Sequence, residues 1–514
     1  MSRIANSIKN ARVTIFFYAI TIFVAFFSRK IFLDVLGADF VGLVALLRNI
    51  LGFLNLAELG IGWAVGVKLY KPLYDNDKAK INEIIQFTGI AYRRIGLIVL
   101  GLAVLASVFF PWFFADQSIS LDIVYFAFFA FVLSSLLAYF VNYHQILLQA
   151  DQKEYVIAKY SQSVSIVKSL TQIALVSYFS DIYLWIGAEL LFTVVQAILF
   201  RWKTGNVYPW LKLSLKGVSR NVLKKHPELV TKIKQVFVHK LAFFVKESTD
   251  QILIYAFVSL KSVAFFSNYY LIFGYLKVLI NNIFTGTQAS VGNLVAENNK
   301  DSINKVYWEM MAIRHFFAGF LFFSLFFLIE PFILIWIGSE YILEREVLIL
   351  MLANIYISQI RSPTEMFINA YGLFNDTWAP ITEAVINLVI SIIFGKLYGI
   401  AGIMLGTFVS TLIIVLLWKP YFLYRDGFSK SVGSYWIGFF KLFGSFLLAF
   451  MISKFLIGKL IHSEISNYWD WFIYALQIVS LSSIIYSVLM FFINQGFRDF
   501  TFRVKKIILK KING

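Results

Sequence analysis

The chain is a succession of apolar runs, each about 20 residues long, separated by short polar segments. A helix of about 20 residues crosses the roughly 30 Å hydrocarbon core of a bilayer, so each run predicts a membrane span. The fourteen predicted spans cover residues 13–34, 41–67, 88–114, 122–148, 157–179, 183–200, 236–258, 263–290, 312–337, 347–371, 379–396, 399–418, 435–457 and 471–493. The pattern predicts an all-α polytopic membrane protein with about 14 transmembrane helices.

Basic residues are concentrated on one side of the predicted membrane. Five of the 46 Lys and Arg residues, Arg48, Lys246, Lys277, Arg361 and Lys441, are assigned to the membrane interior. With the N-terminus inside, and with the other charges that fall within span limits counted with the neighbouring loops, 34 are assigned to the cytoplasmic side, Lys168 and Arg314 among them, and 7 to the outer side. This asymmetry follows the positive-inside rule, so the formal charge of +17 indicates topology and not a nucleic-acid partner. Both termini are predicted to be cytoplasmic.

Composition and motifs exclude several kinds of chemistry. The chain has no cysteine, which excludes disulfides, thiolate metal sites and thiol catalysis. No P-loop, HExxH pair or GxSxG elbow occurs, and the five histidines are scattered. The first apolar run is too long for a signal peptide and is predicted to remain as an anchor. We therefore predict a protein that is not an enzyme.

Two similar motifs suggest an internal repeat. The stretch "NDKAKIN" at 76–82 and the stretch "NNKDSIN" at 298–304 lie 222 residues apart, each after the second span of its half. An offset of six spans preserves orientation, so the halves are predicted to be parallel repeats. The predicted division is a lobe over 1–205, a basic cytoplasmic linker over 206–235, a second lobe over 236–425, and an additional helix pair with a basic tail over 426–514.

Cations inside the predicted spans are the first candidates for function. A charge facing lipid at the middle of a span costs about 3 kcal/mol on insertion scales, so these side chains should face water or a ligand. Helical spacing places polar residues on one stripe in each of four spans. The cations are Arg48, Lys246, Lys277 and Arg361, with Asn55, Asn281, Gln288, Asn354 and Ser358 as polar neighbours. Together the stripes predict a central hydrophilic cavity.

The acids inside the spans leave two interpretations open. Asp250 and Glu365 each lie four residues after a cation, so both pairs are either structural ion pairs or part of a binding site. Lys277 has no acid on its own helix and is favoured to contact an anionic ligand, together with Arg48, whose possible partner is Glu58. Glu383 has no Lys or Arg three or four residues away in the sequence, and it is expected either to bind a coupling cation or to cap a neighbouring group.

Three stretches of the chain resemble a known family. They are "FLDVLGADFVGLVALLRNILGFLNLAELGIGWAVGVKLYKPLYDND" (32–77), "STDQILIYAFVSLKSVAFFSNYYLIFGYLKVLINNIFTGTQASVGNLVAENNKD" (248–301) and "NIYISQIRSPTEMFINAYGLFNDTWAPITEAVINLVISIIFGKLYGIAGIMLGTFVS" (354–410). They are similar to the polysaccharide transporters of the multidrug/oligosaccharidyl-lipid/polysaccharide (MOP) flippase superfamily, which includes O-antigen and capsule repeat-unit flippases. The resemblance covers about residues 1–430.

The resemblance implies a flippase for surface polysaccharide biosynthesis. Its cargo would be a lipid-linked oligosaccharide on undecaprenyl pyrophosphate, moved across the bacterial cytoplasmic membrane by alternating access of two six-helix lobes. Arg48 would then help to receive the diphosphate, and Glu58 would balance it or respond to a coupling ion. We expect membrane lipids and other polysaccharide-assembly membrane proteins as partners, a monomer, and no cofactor other than a coupling ion, H⁺ or Na⁺.

Two rival functions remain at this stage. A drug or metabolite exporter of the same superfamily would share the fold, but it should favour an acidic cavity. A membrane glycan polymerase or ligase would transfer sugars without moving a lipid.

Overall fold

The computed structural model describes residues 3–55, 61–115, 119–212, 248–284, 287–373, 375–461 and 464–512. The regular structure in these ranges is helical, without a β-strand. Eight helices in the same ranges are long and apolar enough to cross a bilayer. The prediction of an all-α, multi-pass membrane protein is confirmed.

The chain divides into two compact units, Met1–Ser267 and Asn268–Gly514. The boundary lies inside a helix, and the finer division predicted from the sequence stays a prediction. The helices of the first unit are α1 (Arg3–Leu54), α2 (Ile61–Tyr74), α3 (Lys78–Ser107), α4 (Phe110–Phe113), α5 (Leu121–Phe140), α6 (Gln145–Ala150), α7 (Glu154–Phe179), α8 (Ile182–Val207) and α9 (248–257).

Helix α10 (Leu260–Ile283) crosses the boundary between the units. The second unit continues with α11 (Thr287–Ala296), α12 (Lys300–Trp336), α13 (Arg345–Ala370) and α14 (Trp378–Thr411). Two π-helical segments, Leu412–Trp418 and Leu423–Gly427, flank α15 (Lys419–Phe422). The last helices are α16 (Gly433–Leu460), α17 (Tyr468–Ile493) and α18 (Gln495–Ile512).

Two of the long helices contain non-helical residues where the sequence predicts the end of a span. In α1 the interruption is at Gly37. Its φ of 84° is a backbone conformation that glycine adopts readily because it has no Cβ atom. In α14 the interruption is at Tyr398 and Gly399. Beyond this point α14 folds back against its own first part. Two hydrogen bonds join the two parts: the Asn387 amide donates to Thr407 Oγ1, and the Ser391 hydroxyl donates to the Ile403 carbonyl oxygen.

The second and eighth predicted spans are not single helices. The second, 41–67, contains the end of α1 at Leu54 and the beginning of α2 at Ile61. The eighth, 263–290, contains the end of α10 at Ile283 and the beginning of α11 at Thr287. The helical faces predicted for these spans therefore stop at Leu54 and at Ile283. The two helix ends lie 229 residues apart (283 minus 54), which is close to the 222-residue offset of the repeated motifs.

The repeated motifs adopt the same local structure. Asn76 and Asn298 share a left-handed φ of 55°, a region that asparagine tolerates better than most residues. The next residue caps a helix in each case: Asp77 accepts from the Lys80 amide at 2.9 Å, and Asn299 accepts from the Ser302 amide at 3.0 Å. Each side chain satisfies a backbone donor at the start of a helix. The match in sequence therefore extends to backbone geometry.

An aromatic core joins α12, α13, α16 and α17 in the second unit. Phe323 stacks on Phe446 with ring centroids 5.4 Å apart, and the Tyr486 ring meets Phe323 edge-on at 5.2 Å. The Tyr486 hydroxyl also donates to the His315 carbonyl oxygen at 2.9 Å. Aromatic pairs of this geometry stabilise packing beyond the area they bury. The helices predicted as an additional pair thus share a core with α12.

Candidate functional site

In the first unit, a buried carboxylate on α8 holds two cations from other helices. Glu189 Oε1 lies 2.9 Å from Lys168 Nζ on α7 and 3.3 Å from Arg48 Nη2 on α1. Its other oxygen accepts from Gln172 at 3.2 Å. The Glu189 side chain is 12% exposed, whereas that of Arg48 is 53% exposed. Arg48 therefore keeps an accessible part of its guanidinium while its charge is partly balanced.

This cluster carries a net positive charge. It contains two cations and one carboxylate, and Arg48 also lies over the Phe131 ring, 5.5 Å from the centroid. Taking a guanidinium out of water is expensive unless hydrogen bonds and opposite charge compensate it. Glu189 provides that compensation for two cations at once. The cluster of Arg48, Lys168 and Glu189 therefore keeps a formal charge of +1.

The neighbouring asparagines on α1 are held by hydrogen bonds. Asn49 donates to Gln251 on α9, with 2.5 Å between Nδ2 and Oε1. Asn55 accepts from Ser135 Oγ and from the Tyr139 hydroxyl, both at 2.9 Å. Asn55 was predicted to line a cavity, and here its carbonyl oxygen ties the end of α1 to α5. Both contacts fix the part of α1 that carries Arg48.

In the second unit, a buried arginine lies beside the interruption between α10 and α11. Arg314 on α12 is 3% exposed, and its Nη1 lies 3.1 Å from Gln359 Oε1 and 3.3 Å from Asn281 Oδ1. Its guanidinium carbon lies 3.8 Å from the centroid of the Phe284 ring. These groups are neutral, and no carboxylate in the described part of the chain pairs with Arg314. Its Nε atom also has no hydrogen-bond acceptor there.

Lys277 extends this cationic region along α10. It lies one helical turn before Asn281, so both residues occupy the same face of the helix. Lys277 is half-buried, and it forms no hydrogen bond or ion pair with the residues that the structure describes. Lys277 on this face of α10 and Arg314 on α12, which contacts Asn281, are thus two cations that pair with no acid in the described part of the chain.

The other polar residues predicted on α13 have mixed surroundings. Arg361 forms the predicted ion pair with Glu365, with Nε 2.8 Å from Oε1. Asn354 donates to the Met404 carbonyl oxygen at 3.2 Å, while the half-buried Ser358 has a hydroxyl without a partner among the described residues. Gln288 on α11 donates to the Met366 carbonyl oxygen at 3.2 Å. Arg361 is thus charge-balanced, in contrast to Arg314.

A buried acid and an amide lie on one face of α14. Glu383 is 6% exposed, and Asn387 follows one helical turn later. The Asn387 amide nitrogen donates to Thr407 Oγ1 at 2.8 Å, which leaves the amide oxygen for another partner. That oxygen is buried and accepts no hydrogen bond within the described ranges. Oxygen atoms of this kind are ligands that small hard cations and protonated groups prefer.

Two predicted site residues, Lys246 and Glu58, lie outside the described residues, so the predicted pairs Lys246–Asp250 and Arg48–Glu58 stay predictions. Asp250 lies in α9 and is half-buried.

Glu189 was not among the predicted site residues, and Lys168 and Arg314 were predicted to be cytoplasmic cations. All three residues lie within long helices and within the predicted spans 157–179, 183–200 and 312–337, so the intramembrane-charge rule applied to every charged residue of a span would have found them.

Comparisons with known proteins concern the fold. The scan of protein-family models and the search of curated proteins find no match. Solved structures do match. One, of lipid II flippase MurJ in an inward closed conformation, has a TM-score of 0.66 and 18% identity, covering 94% of this chain and 99% of that chain.

Two further matches are transporters of the MOP superfamily. An inward-facing multidrug resistance MATE family transporter has a TM-score of 0.57 and 15% identity, covering 80% of this chain and 94% of its own. A MOP superfamily transporter from Pyrococcus furiosus, whose binding pocket is described as reversed in polarity, has a TM-score of 0.50 and 15% identity, covering 82% and 96%. The chain therefore has the fold of MOP-superfamily transporters.

Proposed function

We propose that the protein is a flippase that moves a lipid-linked oligosaccharide, carried on undecaprenyl pyrophosphate, across the bacterial cytoplasmic membrane by alternating access. The observation that carries this proposal is the excess of cations in the polar cluster of each unit. Arg48 and Lys168 share one carboxylate, and Lys277 and Arg314 have none among the described residues. Cations are costly inside a membrane protein and usually mark the path of a substrate. An excess of them suits an anionic cargo such as a diphosphate.

The interrupted helices support a transport path. Interrupted helices at corresponding positions of two halves indicate where a transporter binds its substrate, because freed backbone groups are tolerated only beside protein or water. Here α1 ends near Arg48, and α10 ends near Lys277 and Arg314. In each unit the interruption is therefore close in sequence to a cation that can attract a phosphate. The oligosaccharide would use neutral groups such as Gln288, Asn354 and Ser358, and the polyprenyl chain would stay in lipid.

The runner-up function is ion-coupled export of a drug or metabolite. The fold alone does not separate the two functions, because matching solved structures include both a lipid II flippase and multidrug transporters. Charge is the better criterion, since a binding site for cationic drugs should contain more acids than bases. The clusters described here have the opposite balance, which favours an anionic cargo. A glycan polymerase or ligase has no feature of the described residues in its favour.

The coupling ion, where there is one, is proposed to bind at Glu383. The buried carboxylate lies one turn from the amide oxygen of Asn387, whose nitrogen is engaged by Thr407. Na⁺ would bind to these oxygen atoms directly, whereas H⁺ would bind to the Glu383 carboxylate. We further propose cytoplasmic termini, a monomer, and contacts with other proteins of polysaccharide assembly.

Reconstitution provides the direct test. The protein is placed in liposomes that contain a fluorescent undecaprenyl-pyrophosphate oligosaccharide, and a membrane-impermeant reagent that modifies the sugar measures arrival at the far leaflet. We expect flipping by the wild-type chain and a loss of about tenfold or more in Arg48→Gln and Lys277→Gln, because each removes a charge-assisted contact of about 1.5–3 kcal/mol. Lys459→Gln, an exposed lysine at the end of α16, is the matched control and should flip normally.

Two outcomes would contradict the proposal. Flipping at the rate of empty liposomes, by protein whose thermal unfolding is normal, would exclude this cargo. Full activity of the Arg48→Gln/Lys277→Gln double variant would show that these two cations do not contribute to transport of the cargo. Parallel assays with cationic dyes test the runner-up function, and assays with Na⁺ or pH gradients on Glu383→Gln test ion coupling.

A further inference from the structure

The last helix begins where a membrane span ends. Helix α17 is one of the helices apolar and long enough to cross a bilayer, and it ends at Ile493. Helix α18 begins two residues later, at Gln495. Between them lies Asn494, which is buried and donates to Ser445 on α16 at 2.8 Å. Such a short and anchored connection keeps the start of α18 at the membrane surface.

One face of α18 is fixed to α12. Glu309 is almost fully buried, and both of its carboxylate oxygens lie within 2.9 Å of Arg503 Nη2. One turn earlier, Lys305 pairs with Asp499 at 3.6 Å. The two pairs have opposite polarity, so sliding α18 by one turn along α12 would place like charges together. The ion pairs therefore specify the register of α18.

A close backbone contact strengthens this attachment. A Cβ atom at Gly496 would lie 2.4 Å from the Trp308 carbonyl oxygen, so the start of α18 rests directly against α12. Phe497 packs on Phe316 with ring centroids 5.3 Å apart. The face of α18 that packs on α12, its inward face, is thus occupied, and this contact sets the rotation of α18 about its own axis.

The opposite face of α18 alternates basic and apolar residues. Arg498, Phe502, Lys505 and Leu509 follow one another at helical spacings of four, three and four, so they form a single stripe. Phe502 is 58% exposed and Leu509 is 46% exposed, and Lys505 and the adjacent Lys506 are exposed as well. Neither lysine pairs with an acid in the described ranges. Overall α18 contains six basic residues and one acid.

We propose that this outward stripe is a binding surface for anionic phospholipid headgroups. The apolar side chains would enter the headgroup boundary while the basic ones contact lipid phosphates, which is the arrangement of interfacial amphipathic helices. The position of α18 after α17 brings the stripe to the surface, and its charge is complementary to an anionic leaflet.

A single label can test this proposal in the full-length chain. The sequence has no cysteine, so Thr501→Cys, an exposed position beside the stripe, provides a unique site for a nitroxide. The labelled protein is placed in nanodiscs of phosphatidylcholine with increasing phosphatidylglycerol. We expect the nitroxide to become less accessible to a water-soluble relaxant, and hydrogen exchange over residues 498–509 to slow, as phosphatidylglycerol increases.

A matched pair of charge variants identifies the contact. Each lysine near an anionic surface contributes about a fivefold change in binding, so Lys505→Gln/Lys506→Gln should shift the response to a several-fold higher phosphatidylglycerol fraction. Lys454→Gln/Lys459→Gln, which removes the same charge from exposed lysines of α16, should not shift it.

Three results would overturn the proposal. The first is equal protection of the nitroxide and of residues 498–509 in neutral and anionic nanodiscs. The second is a response to phosphatidylglycerol that Lys505→Gln/Lys506→Gln leaves unchanged. The third is protection that occurs only with two chains in one nanodisc, because it would identify a chain–chain interface. The measurement does not use transport, so it stands or falls independently of the proposed function.

Discussion

Glu189 joins three helices of the first unit through one side chain. It binds Arg48 and Lys168 through the same oxygen atom and Gln172 through the other. Its partners lie 141, 21 and 17 residues away in the chain, too far for helical spacing to reveal them. The pair Arg361–Glu365, by contrast, lies within one helix and was predicted from its spacing of four. Residue-scale prediction therefore succeeded for local contacts and failed for contacts created by packing.

This difference predicts unequal effects on stability. Glu189→Gln leaves two neighbouring cations without a carboxylate, and we expect a loss of about 2 kcal/mol, below the 3–5 kcal/mol of a fully buried pair because Arg48 is half exposed. Glu365→Gln removes a more exposed carboxylate whose ion pair lies within one helix, and it should cost about 0.5 kcal/mol. The midpoint of thermal unfolding in detergent measures both. Equal midpoints for the two variants would contradict the role given to Glu189.

Arg314 provides a second test at this scale. Its burial without an acid among the described residues is a cost to folding, which an apolar side chain of similar length would avoid. We expect Arg314→Met to unfold at the same temperature as the wild type or a higher one, and to lose flipping of the pyrophosphate-linked oligosaccharide. The combination separates a binding role from a structural one, because a structural arginine would lose stability when replaced. Normal flipping in Arg314→Met would assign the residue to packing alone.

The helices themselves were largely predictable from hydropathy, and their interruptions were not. An apolar run indicates which residues prefer lipid, but it does not report backbone dihedral angles. The runs 41–67 and 263–290 therefore look continuous although helices end at Leu54 and Ile283 inside them. Glycines are better guides, since Gly37 and Gly399 lie at or beside the predicted gaps and adopt positive φ values of 84° and 56°.

The folded-back helix α14 can be tested through its own glycines. A Cβ atom at Gly402 would lie 2.0 Å from the Phe394 carbonyl oxygen, so the two arms pack backbone to backbone. We expect Gly402→Ala to cost about 1–3 kcal/mol through overpacking. Gly444→Ala on α16 is the control: a Cβ atom there meets nothing within 4 Å, so it should be neutral or stabilising by up to about 1 kcal/mol. The midpoints of thermal unfolding of the two variants provide the measurement. Similar midpoints for Gly402→Ala and Gly444→Ala would exclude a close contact at Gly402.

At the scale of the whole molecule, the distribution of basic residues predicts the orientation that the proposed function needs. With fourteen spans and an inside N-terminus, the loops after α11 and after the second π-helical segment are cytoplasmic, and the loops after α12 and α16 are outside. All four contain exposed residues suited to labelling: Glu297, Lys430, Glu340 and Glu464. The absence of cysteine makes each single-cysteine variant a specific probe.

A membrane-impermeant maleimide applied to intact spheroplasts should label Glu340→Cys and Glu464→Cys, and it should label Glu297→Cys and Lys430→Cys only after permeabilisation. The two outer positions lie on either side of α13–α16, so they also test whether the α14 segments count as two spans. If Glu464→Cys were labelled in intact spheroplasts and Glu340→Cys were not, the chain would cross the membrane an odd number of times between the two positions, one time fewer than predicted. The reverse pattern at all four positions would place the basic loops and the stripe of α18 outside, where the cytoplasmic leaflet cannot reach them. Agreement at all four would place the basic loops on the cytoplasmic side, where the proposed lipid-linked cargo would enter.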